Sequence, residues 1–317
     1  MASMITMFLQ SAYSMIDGLF VSNLIGDTAL SAVNVAWPII AVVTAIGTGV
    51  GCGGAVMMST KQGEGKNEES NIVRANVILA LLASSIVVTI FFLILLTPLL
   101  KLMGAEGELL RLSQIYGRVM LTGGVLQILS CGLTPLLRND NRAVSAMMIM
   151  VGGLFANLGL DFVFMYVFHM GIGGAAGASL CAQLFTTVCC LMILCTKKTD
   201  PIRLSQFMIR KEYWKKIFKT AVSPFGISLT PSLLILYHNV ACLKFGGDLA
   251  VNAYALISST VGSYRVLLIG VAEGIQPLAS YAYGAHDFHA IRKIRNKAVI
   301  TAMGVSFFLF IFTIATA

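Results

Sequence analysis

Charge is what this sequence has least of. Only 11% of its 317 residues are Asp, Glu, Lys or Arg, against about 25% in an ordinary soluble domain. That shortfall excludes soluble enzymes and DNA-binding domains despite the formal charge of +8, and no nucleic-acid partner is expected. Metal-ligand spacing is missing too. The 7 cysteines (Cys52, Cys131, Cys181, Cys189, Cys190, Cys195 and Cys242) sit within apolar stretches and read as small packing residues. The chain has no nucleophile set beside an acid–base partner, so it is not expected to be an enzyme. The opening apolar run lacks a basic flank, so no cleavable signal peptide is expected.

What is present is apolar sequence, 57% of the chain, in runs long enough to cross a bilayer at about 20 residues each. Nine spans can be drawn: Met1–Ile25, Ser31–Thr60, Asn71–Leu100, Leu110–Leu137, Ala143–Phe168, Gly174–Thr196, Trp214–Phe245, Ala250–Tyr283 and Ala298–Ala317. The fold class is therefore an all-α polytopic membrane protein. Its organisation reads as an N-terminal lobe (1–196), a basic linker (197–213) and a partial C-terminal lobe (214–317).

Loop charge tests this segmentation. Lys61, Lys66 and Arg74 make the second loop basic, and Arg138 and Arg142 the fourth. The basic segment at the linker carries Lys197, Lys198, Arg203, Arg210, Lys211, Lys215, Lys216 and Lys219, and the eighth loop Arg292, Lys293, Arg295 and Lys297. The alternate loops hold only Lys101, Arg111 and Lys244. The positive-inside rule then places the start of the chain and the four basic segments in the cytoplasm, as in a cell-membrane protein.

The sequence also repeats. A shift of 221 positions lays Gly26, Asp27, Ala29 and Ala32 over Gly247, Asp248, Ala250 and Ala253 without a gap. Gly49, Val50, Gly53, Ser59, Gly63 and Arg74 fall on Gly270, Val271, Gly274, Ser280, Gly284 and Arg295 in the same register. The shift spans six helices, an even number, so the copies run parallel. Parallel six-helix repeats are a transporter architecture with the substrate between the halves.

Polar residues within the spans are few. Gln10, Ser14 and Asp17 share one face of the first span, and Asn157 and Asp161 share one face of the fifth. Asp17 and Asp161 each lie about seven residues, roughly 10 Å, inside the less basic boundary, and Ser179 falls at a similar level. A carboxylate in hydrocarbon costs several kcal/mol or changes its protonation. Two at one depth suit a site that exchanges a cation or proton. Glu273 and Arg265 lie two turns apart on the eighth span; they read as an ion pair, direct or through a neighbouring helix, or as a second cation site. His238, in the repeat position of Asp17, reads as a packing residue, and Arg118 as a possible counter-charge. The glycines from Gly47 to Gly54 read as close helix packing.

Several stretches resemble the multidrug and toxic compound extrusion (MATE) transporters, most closely their DinF-like branch. They are "MIDGLFVSNLIGDTALSAVNVAWPI", "LLKLMGAEGELLRLSQIYGRVM", "LTPLLRNDNRA", "NLGLD", "GIGGAAGASLCAQ" and "EGIQPLASYAYGA", in order along the whole chain. The resemblance implies twelve helices in two parallel six-helix lobes that open alternately. It implies a proton- or sodium-coupled exporter of small organic cations, needing no cofactor beyond the coupling ion. Carried over by motif, the coupling and substrate positions are Gln10, Asp17, Asn157, Asp161 and Ser179, with a sodium possible at Asp17 and Asp161. The seventh-helix acid of the branch named for NorM has no counterpart in "GISLTPSLLILYHNV". Against twelve helices, the chain reads as a fragment whose second lobe is incomplete. A lipid-linked sugar flippase of the same superfamily would want a basic cavity, whereas the charges within these spans are mainly acidic. A receptor is disfavoured by the six-helix repeat.

Overall fold

The computed structural model describes Thr6, Met7, Leu9, residues 26–195, Gln206, Phe207 and residues 209–316. Gln10 and Asp17, with most of the first span and of the linker, lie outside the described residues. Among the described residues the chain is helical with no strand. The helices are α1 (Asp27–Gly63), α2 (Asn67–Leu102), α3 (Gly107–Thr122), α4 (Gly124–Asn139), α5 (Ala143–Asp161), α6 (Gly171–Cys195), α7 (Lys211–Gly284) and α8 (Phe288–Thr316). By length and apolarity α1, α2, α6, α8 and α5 with its continuation to Val167 each suffice to cross a membrane, and the bent α3–α4 pair suffices when taken together.

α1 is the axis of the packing. Its glycines line two faces, each with a pair four residues apart. Gly47 and Gly51 sit so close to Ile128 and Gly132 of α4 that a Cβ would strike backbone, while Gly49 and Gly53 sit close to Phe225 and Ala221 of α7. Small residues let helix backbones approach, and dispersion over that contact replaces the hydrophobic drive that lipid removes. Around it lies a buried core that includes Ile40, Met58, Leu81, Leu133, Leu136 and Leu137. Outward-facing positions of α2, such as Val87, Phe91 and Ile94, are exposed and apolar, as a lipid-facing surface requires.

Two spans of the first half depart from straight rods. The fourth is the α3–α4 pair, bent by 57° about Gly123. A side chain there would run into Leu180 of α6, and one at Gly124 into Thr89 of α2. The glycine pair thus tucks the bend between two neighbours. The fifth changes winding after Asp161: Phe162–Val167 is a π-helix, and the N–H of Phe168 donates to the carbonyl of Val163, 2.9 Å away.

The seventh and eighth spans share one helical backbone, Lys211–Gly284, of 74 residues, which would extend about 110 Å if straight. It is not straight. His238 stacks on Tyr254 at 5.1 Å, where sixteen residues of straight helix would separate them by about 24 Å. Gly53 abuts Ala221, and Gly63, only ten positions on, abuts Tyr281. The chain therefore doubles back between His238 and Tyr254. The two expected spans are its arms, with helical winding carried through the turn rather than broken at Phe245–Ala250.

One end of the molecule collects the basic segments. Gln62 reaches Asp140 at 3.3 Å, Arg74 reaches the same carboxylate at 2.7 Å, and the N–H of Arg210 donates to Asn76 at 3.1 Å. Gly63 abuts Ala285 at the start of the fourth basic loop. The alternation seen in the sequence is thus a real separation of ends.

Candidate functional site

Asn157 and Asp161 lie one turn apart on α5, and the amide Nδ2 of Asn157 donates to Oδ2 of Asp161 at 3.2 Å. Asp161 is fully buried and Asn157 nearly so, and both take part in further interactions. A carboxylate at this depth needs such donors to remain in place. Directly after Asp161 the helix widens into the π segment. That irregularity was not legible in "FANLGLDFVF", yet π turns recur at functional positions because they reset the register of side chains beyond them. Gly174 of α6 seats against Phe164 within that segment, so the widened turn is locked to the helix that carries Ser179.

Ser179 is half-buried on α6, and no hydrogen bond joins it to the Asn157–Asp161 pair among the described residues. Gln10 and Asp17, the other two members of the expected cluster, lie outside the described residues. Among the described residues no group of three or more His, Cys, Asp or Glu is placed to hold a metal ion.

The second acid behaves differently. Glu273 Oε2 meets Arg138 Nη1 at 2.5 Å, with the guanidinium side chain 7% and the carboxylate side chain 22% exposed. Its partner is the end of α4, on the other half of the chain, not Arg265. Arg265 and Arg118 are exposed, and neither forms an ion pair among the described residues. Beside the pair, Asn139 Nδ2 donates to Gln276 Oε1 at 3.1 Å and Ser59 Oγ to Asn139 Oδ1 at 2.9 Å. Thr6 and Met7 line a small recess against Arg138 and Glu273 with Thr134 and Met150.

Further toward the basic end Asp140 is held by Arg74, both nearly buried. Burial pushes the Asp140 carboxyl up from its usual range, opposed by the charges of Arg74 and Arg142. Lys61 and Lys66 bond Glu64 at 2.9 and 3.0 Å and hold its carboxyl below the usual range. These exposed pairs are worth little individually.

A family model described as MatE matches residues 2–163 and 227–317. Multidrug export protein MepA of Staphylococcus saprophyticus is 24% identical over 282 residues, spanning 88% of this chain and 62% of that protein. MepA of Staphylococcus aureus (strain N315) is 25% identical over 310 residues, spanning 96% of this chain and 67% of that protein. A solved MOP superfamily transporter from Pyrococcus furiosus aligns with a TM-score of 0.94 at 26% identity, over 100% of this chain and 70% of that one. A multidrug resistance MATE family transporter in an outward-facing conformation gives 0.92 at 26% identity, over 98% of this chain and 69% of that one. The chain thus spans 62% to 67% of the length of the curated relatives it matches.

Proposed function

The chain belongs to the MATE family of membrane transporters, whose members are not enzymes, and from that premise we propose a cation-coupled antiporter that exports small organic cations by alternating access. The observation that carries the reading is Asp161: a fully buried carboxylate, bonded by Asn157 one turn away, on a span that has no Lys or Arg between Ala143 and Val167. In this reading Asp17, Gln10 and Ser179 also belong to the coupling cluster. Two carboxylates sharing a low-dielectric site cannot both stay ionised and unneutralised. A proton or sodium ion therefore occupies the cluster when substrate is absent, and a cationic substrate competes with it. Alternation follows because each occupant favours a different arrangement of the halves. The relatives named as multidrug export proteins support export of small organic compounds.

In this reading the protein sits in the cell membrane with the end that gathers Lys61, Arg138, Arg210 and Arg292 in the cytoplasm. The test is efflux of a cationic dye from proteoliposomes against imposed proton and sodium gradients, applied separately. Acceleration by at least one gradient is expected. Equal efflux with either gradient collapsed would remove the antiport reading.

A further inference from the structure

The two halves meet at the basic end through a crossing that has the symmetry of the repeat. Under the shift of 221, Ser59, Thr60 and Gly63 correspond to Ser280, Tyr281 and Gly284. A Cβ on Gly63 would strike the carbonyl oxygen of Tyr281, and a Cβ on Gly284 would strike that of Thr60. Residue 63 therefore meets the mate of residue 60, and residue 60 meets the mate of residue 63. This is the reciprocal pattern of contacts about a two-fold axis, here within one chain. The Thr60 hydroxyl also points to the carbonyl of Ser280 at 3.5 Å. Two to three turns inward, about 12–17 Å along the helix, come the Asn139–Gln276 bond and the Arg138–Glu273 pair. Among the described residues, every hydrogen bond joining residues 26–195 to residues 211–316 lies at this end.

We propose that this crossing and the Arg138–Glu273 pair form a reversible gate, closed in this structure, with Arg138 and Glu273 acting as positioning residues for the closed state rather than as a second cation site. The chemistry of the contact separates it from the permanent core. Within the first half, α1, α2 and α4 are joined by buried side chains such as Leu81, Leu133 and Leu137, and parting them would expose apolar surface to water. The gate instead joins glycine-faced backbones, and Ile217 and Ala221 are the described second-half residues in the buried apolar cluster, so parting it repacks few side chains. A buried ion pair orients its partners strongly but adds little net stability, since desolvation offsets the attraction. On opening, water returns that cost by hydrating both charges. Closure is also imperfectly satisfied: among the described residues Arg138 Nε and Gln276 Nε2 are buried with no hydrogen-bond partner, a cost that water would relieve in the open state.

The inference rests on the transport reading only in taking the halves to move, and its test needs neither substrate nor coupling ion. Cys52 lies on α1 between Gly51, which abuts Gly132, and Gly53, which abuts Ala221 of the other half, inward of the crossing at Gly63. With the other six cysteines replaced by Ala, its rate of labelling by N-ethylmaleimide is followed in inside-out vesicles. Glu273→Arg, which sets like charges together, should raise the rate about tenfold or more, and the swap Arg138→Glu with Glu273→Arg should return it to within about threefold of the parent. Gly284→Ala, which intrudes on Thr60, should raise it by at least about threefold. Monodispersity in detergent identifies folded variants; if the charge reversal does not fold, Arg138→Gln and Gly284→Ala decide the matter. A folded Glu273→Arg that labels at the parent rate, a swap that labels as fast as the single variant, or unchanged rates in the two milder variants would overturn the gate.

Discussion

The two halves of this chain share a repeat but not a chemistry. Arg74 of the first half is buried against Asp140; its mate Arg295 is exposed and bonds only to its neighbour Asn296. Cys52 has Glu273 as its mate, and Asp17 has His238. What survives in both copies is a set of glycines: Gly49, Gly53 and Gly63 answer Gly270, Gly274 and Gly284, and at Gly63 and Gly284 the two copies meet backbone to backbone. The comparison teaches that the repeat preserves how helices cross, which the fold needs twice. Asp161, the fully buried acid of the described spans, lies in the first half, where the proposed coupling site needs it only once.

The sharpest way to press the comparison is to remove the two paired arginines. Arg74→Ala leaves the Asp140 carboxylate buried without its cation and should destabilise the protein by about 3–5 kcal/mol. Arg295→Ala, with an exposed side chain, should stay within about 0.5 kcal/mol. Thermal unfolding in detergent separates the two, and equal shifts would break the claimed asymmetry.

Next come the glycines. Gly51→Ala drives a methyl group into the backbone of Gly132 and should cost about 1–3 kcal/mol through overpacking. Gly304→Ala on α8 meets nothing within 4 Å and should be neutral or stabilising by up to about 1 kcal/mol, since Ala is the better helix former. The same melting assay reads both.

The smallest expected effect on stability belongs to the topology reporters. With the native cysteines replaced, Lys66→Cys at the basic end and Met170→Cys at the other should each alter stability by under about 0.5 kcal/mol. An impermeant thiol reagent on intact cells should label Met170→Cys and spare Lys66→Cys. The reverse pattern would invert the orientation.

Much of this fold was legible in the residues because the bilayer leaves so few options. Apolar runs of span length and loop charge of alternating weight located α1, α2, α5, α6 and α8 and the two arms of α7. The bend at Gly123 was less visible: a glycine pair in an apolar run reads equally as packing, and only Leu180 and Thr89 show which. The π turn after Asp161 depends on tertiary seating against α6 and leaves no periodic trace. Asn157 and Asp161 could be put on one face from their spacing alone. Arg138 as the partner of Glu273 could not, since 135 positions separate them and loop arginines ordinarily report topology. A signal for the crossing was nevertheless present. Gly63 and Gly284 coincide in the repeat register, and paired glycines at the ends of repeat-related helices mark where such helices touch.

The central claim is that coupling belongs to the acids of the first half and that Glu273 serves closure. Gradient-driven dye efflux by Asp161→Asn and by Glu273→Gln, each in proteoliposomes with matched folded protein, tests it most directly. The account predicts that Asp161→Asn loses gradient-driven efflux altogether, whereas Glu273→Gln keeps its dependence on the ion gradient and is altered only in rate. Coupled efflux at the parent rate by Asp161→Asn, with coupling abolished in Glu273→Gln, would contradict it.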